Sequence, residues 1–253
     1  MYFLGCLKRN IILPAIFGIA LILGWEVVYR SGAISKLVLS GPTAIVFTAM
    51  TDAPELLQNS LVTLAEALTG FVIGNTIGLL FAIAFIQWKV LKRAIFPLAI
   101  LCEAIPVVAI LPMLIIWLGS GMGPKIFIAA FLSFFPMLVN AYRGLNNLES
   151  ETLELLHSYS AASHQVLWLV RLPAALPFMF SALKLSACGS MISALVAEWV
   201  ASQHGLGYLI VYYSLGYRIA NVWAAAILAC VISLLLYGLV GLCEKLVMRR
   251  FRV

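Results

Sequence analysis

A chain of 253 residues with 64% apolar and only 10% charged side chains carries more apolar surface than a soluble fold of that length buries. Its mean hydropathy of +1.08 makes lipid the solvent for most of it. The net charge of +6 is placed in short runs between apolar stretches, as topology determinants are, which excludes nucleic acid as the partner.

A membrane crossing needs about 20 mostly apolar residues. Six crossings are predicted, over 11–29, 60–88, 94–118, 125–141, 177–197 and 222–243. The fold class is therefore all-α integral membrane, as a single domain over 1–253. Lys8 and Arg9 precede the first stretch, and no small-residue cleavage site follows it. With Trp25 to Arg30 reading as an interface, it is taken as a retained helix and not a signal peptide. Leu4-Gly5-Cys6 looks like a lipoprotein site but lacks the charged and apolar regions that precede one. Residues 30–59 form a long connection with a turn signal at Gly41-Pro42.

The second stretch carries Glu66 and, at i, i+4, i+8, Gly70, Gly74 and Gly78. Such a stripe predicts close approach of another backbone in preference to solute contact. The third carries Glu103 and three prolines, Pro97, Pro106 and Pro112. Freed backbone groups are tolerated in a membrane only beside protein or water, so this helix is predicted to be interior and next to a pathway. Glu103 is read as a pathway or gating carboxylate, or else as a structural partner of Lys184 or a loop cation. Pro106 belongs to the same candidate set. Lys184, in the fifth stretch near its cytoplasmic end, is either of that set or snorkels.

Lysines and arginines of the connections divide eleven to four, with Lys89, Lys92, Arg93, Arg143, Arg171 and the carboxy-terminal group on the rich side. With six crossings this split predicts both termini in the cytoplasm. Residues 142–176 then form a cytoplasmic connection, the most polar part of the chain. Ser150-Glu151 favours a helix start. Leu153, Leu156, Val166, Leu167 and Val170 suit two short helices separated near Ser160, and the prolines of Leu172-Pro173-Ala174-Ala175-Leu176-Pro177 are expected to end the segment. A short amphipathic helix tethered by crossings on both sides makes a peg for a groove on a cytosolic partner.

Glu154-Leu155-Leu156-x-x-x-Ser160 followed by Val170-Arg171-Leu172-Pro173 resembles the EAA loop of ABC importer permeases. The spacing of E-A-A-x3-G-x9-[IV]-x-L-P is kept. Two leucines replace the alanines, and Ser160 replaces the glycine, with steric strain wherever φ > 0 is required. Leu39-Ser40-Gly41-Pro42, Ile105-Pro106 through Leu111-Pro112, Trp117-Leu118-Gly119, Val196-Ala197-Glu198-Trp199 and Gly205-Leu206-Gly207-Tyr208 are similar to segments of nitrate, sulfonate and taurine permeases. Permeases for thiamine pyrimidine precursors and riboflavin share that subfamily, and 180–184 leans toward them.

The resemblance implies a type I importer fold in a bacterial inner membrane. Two permease copies, two cytosolic ATPases and an extracytoplasmic solute-binding protein would make up the complex. Glu154, Leu155, Leu156, Ser160, Ala161, Leu172 and Pro173 would couple it to the ATPases. It implies no cofactor in this chain, ATP and Mg being bound by the partner ATPase.

No catalytic or metal site is read from the residues. Gly119 to Lys125 has the wrong spacing for a phosphate-binding loop and no hydroxyl after the lysine. Cys6, Cys102, Cys188, Cys230 and Cys243 form no C-x-x-C pair and are read as small hydrophobes. His157, His164 and His204 are read as solvated interface residues. Trp199, Tyr208, Tyr212, Tyr213 and Tyr217 read as an interfacial belt, with docking of a binding protein on 205–208 left open. The rival reading is an ion-coupled secondary transporter, which needs midplane ion ligands that the stretches scarcely supply.

Overall fold

The structure, a computed structural model, describes residues 2–35 and 38–251, and side-chain surroundings for all of these except 2–12, 15, 201 and 251. The readings on Leu4-Gly5-Cys6, Lys8, Arg9, Lys36 and Arg252 lie outside the described side chains.

Every regular element among the described residues is helical. In chain order they are α1 (Tyr2–Arg30), α2 (Pro42–Thr51), α3 (Ala53–Gln87), α4 (Lys89–Glu103), α5 (Val107–Leu118) and α6 (Gly123–Leu145). Then follow α7 (Ser150–Ser158), α8 (Ser163–Val166), a π turn over Leu167–Arg171, α9 (Leu172–Ala201), α10 (Leu206–Leu215) and α11 (Ile219–Phe251).

The core is α3, α6 and α9, and the glycine stripe explains why. An added Cβ at Gly70 would lie 2.4 Å from the Ala129 Cβ, and one at Gly74 only 2.1 Å from the Ala130 carbonyl oxygen. At Gly78 it would meet the Phe134 carbonyl at 2.7 Å. Three successive turns of α3 thus lie against the α6 backbone, and the matching order of contacts makes the two helices parallel. Lipid gives no hydrophobic drive for helices to associate, so such backbone proximity is what holds them. α9 runs the other way: Lys125 meets Ser202 at one end, Ser186 bonds the Ser133 carbonyl midway, and Arg171 reaches Leu145 at the other.

α11 lies outside this core, antiparallel to α9, and its long apolar face is left to lipid. Arg218 and Asn221 at its start bind Asp52, and Glu244 near its far end binds Lys184. α1 is tied on by Glu26, which accepts from Arg30 and from the backbone and hydroxyl of Thr43 at the start of α2. Trp25 also packs edge-on against Trp223 of α11. The bundle therefore has a basic end, with Lys89, Lys92, Arg143, Arg171 and Arg249, and an opposite end where α3, α6 and α11 begin and α9 finishes.

Several expectations are corrected. Among the described residues, four helices are long and apolar enough to cross a membrane: α3, α6, the continuous 163–200 segment and α11. The third predicted crossing is not one helix: α4 and α5 meet at 101° across Ala104–Pro106, giving a fifth crossing only if the bent pair counts as one. Pro106 cannot continue the ladder of α4 and stands at the break, whereas Pro97 and Pro112 lie inside α4 and α5; a kink alone was expected at each. α1 covers the first predicted crossing, but much of its side-chain surface lies outside the description. The prolines at 173 and 177 do not end the segment either. Leu172 N–H bonds the Leu167 carbonyl five residues back, and this wider turn relieves the ring of Pro173, which opens α9.

Candidate functional site

At the basic end the chain leaves α6 at Leu145 and starts α7 with Glu151 in its first turn, where the helix dipole favours a carboxylate. α7 ends in a Schellman turn. Ala161 N–H bonds the Leu156 carbonyl at 3.0 Å and Ser160 N–H bonds that of His157 at 2.9 Å. Ser160 occupies the left-handed position of that turn, with φ +55. The helix break expected near Ser160 is therefore present, and the residue there carries the backbone strain that glycine would avoid.

After the turn, Gln165 Oε1 accepts from Ala162 N–H at 2.9 Å and starts α8. Arg171, on the π turn, donates to the Leu145 carbonyl at 2.7 Å and caps the end of α6. The loop is thereby pinned at both ends to the same place on the bundle.

Glu154, Leu155 and Ser160 face outward, and the Glu154 carboxylate makes no hydrogen bond or ion pair among the described residues. Tyr159, at the tip, is 77% exposed. Leu156 and Ala161 turn inward to a groove of about 660 Å³ shared with Ile86, Trp88, His157 and His164. Leu172 and Pro173 are half-buried at the root of α9. Five of the predicted coupling residues thus gather on one protrusion, and the other two form its hinge to the membrane.

Glu103 and Pro106 lie together at the break between α4 and α5, both exposed within the chain. Below the break, Ala99 and Cys102 pack with Phe85, Ala141 and Leu145 toward the basic end. Above it, Leu111 and Leu114 pack with Ile128 and Ala197 toward the opposite end. The break is accordingly near mid-depth. Glu103 has no partner among the described residues, so the alternative of a structural pair with Lys184 or a loop cation is not found there. Lys184 instead pairs with Glu244, its amino group 6.0 Å from the Tyr237 ring. These groups come from α9 and α11 and are remote in sequence, which hid the pair.

The most deeply buried charges are elsewhere, at the opposite end, where the sequence reading left open only the docking of a binding protein on 205–208. Lys125 is 6% exposed, and its Nζ donates to Glu66 Oε1 at 3.0 Å and to Ser202 Oγ at 2.8 Å; Glu66 is wholly buried. Beside them Glu198 accepts from Thr63 Oγ1 at 2.7 Å and from Gly207 N–H at 2.6 Å. Thr63 in turn accepts from Leu206 N–H, and Asn59 from Gly205 N–H, each at 2.8 Å. These acceptors cap the start of α10.

Gly205, at φ +107, leaves no room for a side chain, since a Cβ would be 2.1 Å from Glu198 Oε1. The cluster explains Glu198-Trp199 and Gly205-Leu206-Gly207 as one unit. The signal available in sequence was that Glu66, Lys125 and Glu198 each lie near the same predicted side of the second, fourth and fifth crossings. On α10 itself, burial and the hydrogen bond to Glu55 push the Tyr213 phenol above its ordinary range.

Among the described residues no group of His, Cys, Asp or Glu is placed to hold a metal. Cys102, Cys188, Cys230 and Cys243 are free thiols.

The chain is 32% identical over 231 residues to a probable ABC transporter permease protein of Haemophilus influenzae, covering 91% of this chain and 94% of that one. It is 29% identical to the formylaminopyrimidine transport permease protein ThiX of Halalkalibacterium halodurans, covering 77% and 78%. Its fold is similar to a chain of the MetNI methionine ABC transporter in inward-facing crystals, with a TM-score of 0.59 at 18% identity, covering 79% of this chain and 95% of that one. Residues 74–253 match the binding-protein-dependent transport system inner membrane component family. The chain belongs to that family, as an ABC importer permease: a multi-pass transport subunit and not a catalytic one.

Proposed function

We propose that this permease works by alternating access, driven through the protrusion at its basic end by two cytosolic ATPase subunits. In this reading the basic end is cytoplasmic, both termini face the cytoplasm of a bacterium, and the membrane is the inner one. The whole chain acts as a single permease domain. A second permease copy completes the solute path, and an extracytoplasmic binding protein delivers small organic or oxyanion solutes. ATP and Mg reside in the ATPases.

The observation that carries the proposal is the mechanical form of 150–173. The short helix α7 is stopped by a tight turn, and beyond it α8 runs through the π turn without a break into the 30-residue α9, with Arg171 pinned to the end of α6. Force on Glu154, Leu155 and Leu156 therefore passes to two core helices with little slack. Ser160 and Ala161 hold the turn, and Leu172 and Pro173 form the root. Glu103 and Pro106 stand at the broken crossing as the pathway element, and Lys184 fastens α11 to α9 through Glu244. Ion-coupled transport by this chain has no support from its relatives.

The test is Glu154→Lys in the assembled complex. Solute-stimulated ATP hydrolysis should be abolished while the complex still forms; unchanged coupled hydrolysis removes the assigned role.

A further inference from the structure

We propose that the groove beneath the α7 protrusion holds the headgroup of an acidic phospholipid from the leaflet at the basic end. The inference rests on the reading that this end meets the cytoplasm, and it adds a lipid to the partners of the protrusion.

The groove opens at headgroup depth. α3 ends at Gln87 and α4 starts at Lys89, so Trp88 marks a corner between two apolar helices. Trp88 is 60% exposed and lines the groove. Leu167 and Arg171 line it from the π turn, where Trp168 is also exposed. Tryptophan just beyond the ends of two apolar helices marks the headgroup layer. Glu154, Leu155 and Tyr159, which face outward on α7, are not among the lining residues. The groove is thus on the bilayer side of α7, and the side that suits an ATPase is the other one.

The lining is amphipathic in the way a lipid is. Ile86, Leu153, Leu156 and Leu167 supply apolar walls, and His157, His164 and Arg171 supply N–H groups. Arg171 gives one N–H to the Leu145 carbonyl and keeps the rest of its fork for a phosphate. No Asp or Glu lines the groove. Lys89, Lys92 and Arg93 follow Trp88 directly, and among the described residues none of them meets a carboxylate. Lys92 instead places its amino group 4.5 Å from the centre of the Tyr142 ring.

A choline group would find no counter-charge here, whereas a phosphodiester of net negative charge finds donors and cations together. The volume of about 660 Å³ takes a headgroup with the start of its chains. Seated there, the lipid fills the space between α7 and the α3–α4 corner. A push on α7 then meets packed matter and not an open gap.

The test uses the full-length permease assembled with its ATPase in nanodiscs of phosphatidylcholine, with and without phosphatidylglycerol. Lipid kept after gentle detergent extraction is counted by native mass spectrometry. Phosphatidylglycerol should be enriched over phosphatidylcholine by about fivefold or more. His164→Phe combined with Lys89→Gln should remove at least half of that enrichment. Both side chains are exposed, so the unfolding midpoint should stay unchanged. Equal retention of the two lipids, or equal enrichment in the variant, overturns the proposal.

Hydrogen exchange over 153–166 should also be slower in the acidic discs than in the neutral ones, with α11 unaffected. Glycerol phosphate added to neutral discs should give no such protection. If it does, the site is one for soluble phosphate, and the lipid is overturned. Protection that needs the ATPase but not the acidic lipid assigns the groove to the ATPase and overturns it equally. Unchanged hydrolysis in Glu154→Lys would instead sink the coupling mechanism, and lipid retention is read independently of that.

Discussion

The two ends of this bundle solve opposite problems with similar residues. At the opposite end, Glu66, Lys125 and Glu198 are buried together and join α3, α6 and α9 to the start of α10. At the basic end, Glu154 and Leu155 project outward from a nine-residue helix, with a groove beneath it. Buried charges hold a geometry, because removing one partner leaves the other without water. Exposed ones are free to meet another chain. The contrast separates a part whose internal contacts are nearly complete from a part that awaits a partner.

Breaking the first end should have the largest effect. Lys125→Met leaves the Glu66 carboxylate buried and unpaired, which should destabilise the protein by about 3–5 kcal/mol. A fall in thermal unfolding midpoint of the purified permease checks it. Adding Glu66→Leu should recover most of the loss, since an apolar pair replaces the ionic one. If the double variant is as unstable as the single, the ion pair is not the cause.

At the basic end, Arg171→Met should be milder, about 1.5–3 kcal/mol, the range for a hydrogen bond to a charged group. Its effect should be local. Hydrogen exchange should rise over 150–171 while α3 stays protected, and uniform exchange along the chain would contradict the pinning role. The smallest effect should be a gain. Ser160→Gly removes left-handed strain and should stabilise the turn by about 1 kcal/mol. Slower exchange at the amides of Ser160 and Ala161 would show it; an unchanged rate would mean that the serine adopts this φ without strain.

Legibility in the sequence followed the range of the interaction. The glycine stripe was readable because i, i+4 spacing places residues on one helix face whatever lies opposite, and α6 duly occupies it. The break at Ser160 was readable because it depends on hydrogen bonds spanning only a few residues. The prolines were misread in both directions. Pro106 does more than kink its helix, and Pro173 does less than stop one, because a π turn just ahead accommodates its ring. Proline states which bond is missing; the neighbouring geometry settles what replaces it.

Membrane residence and the ordering of polar and apolar stretches followed from composition and periodicity, since each stretch answers to its own solvent regardless of its neighbours. The charge pairings did not. Lys125 finds Glu66 from 59 residues away, Thr63 finds Glu198 from 135, and Lys184 is matched with Glu244 and not Glu103. Such partners are chosen by which helices pack side by side and at what depth, and a linear order of residues carries no depth until the helices have packed.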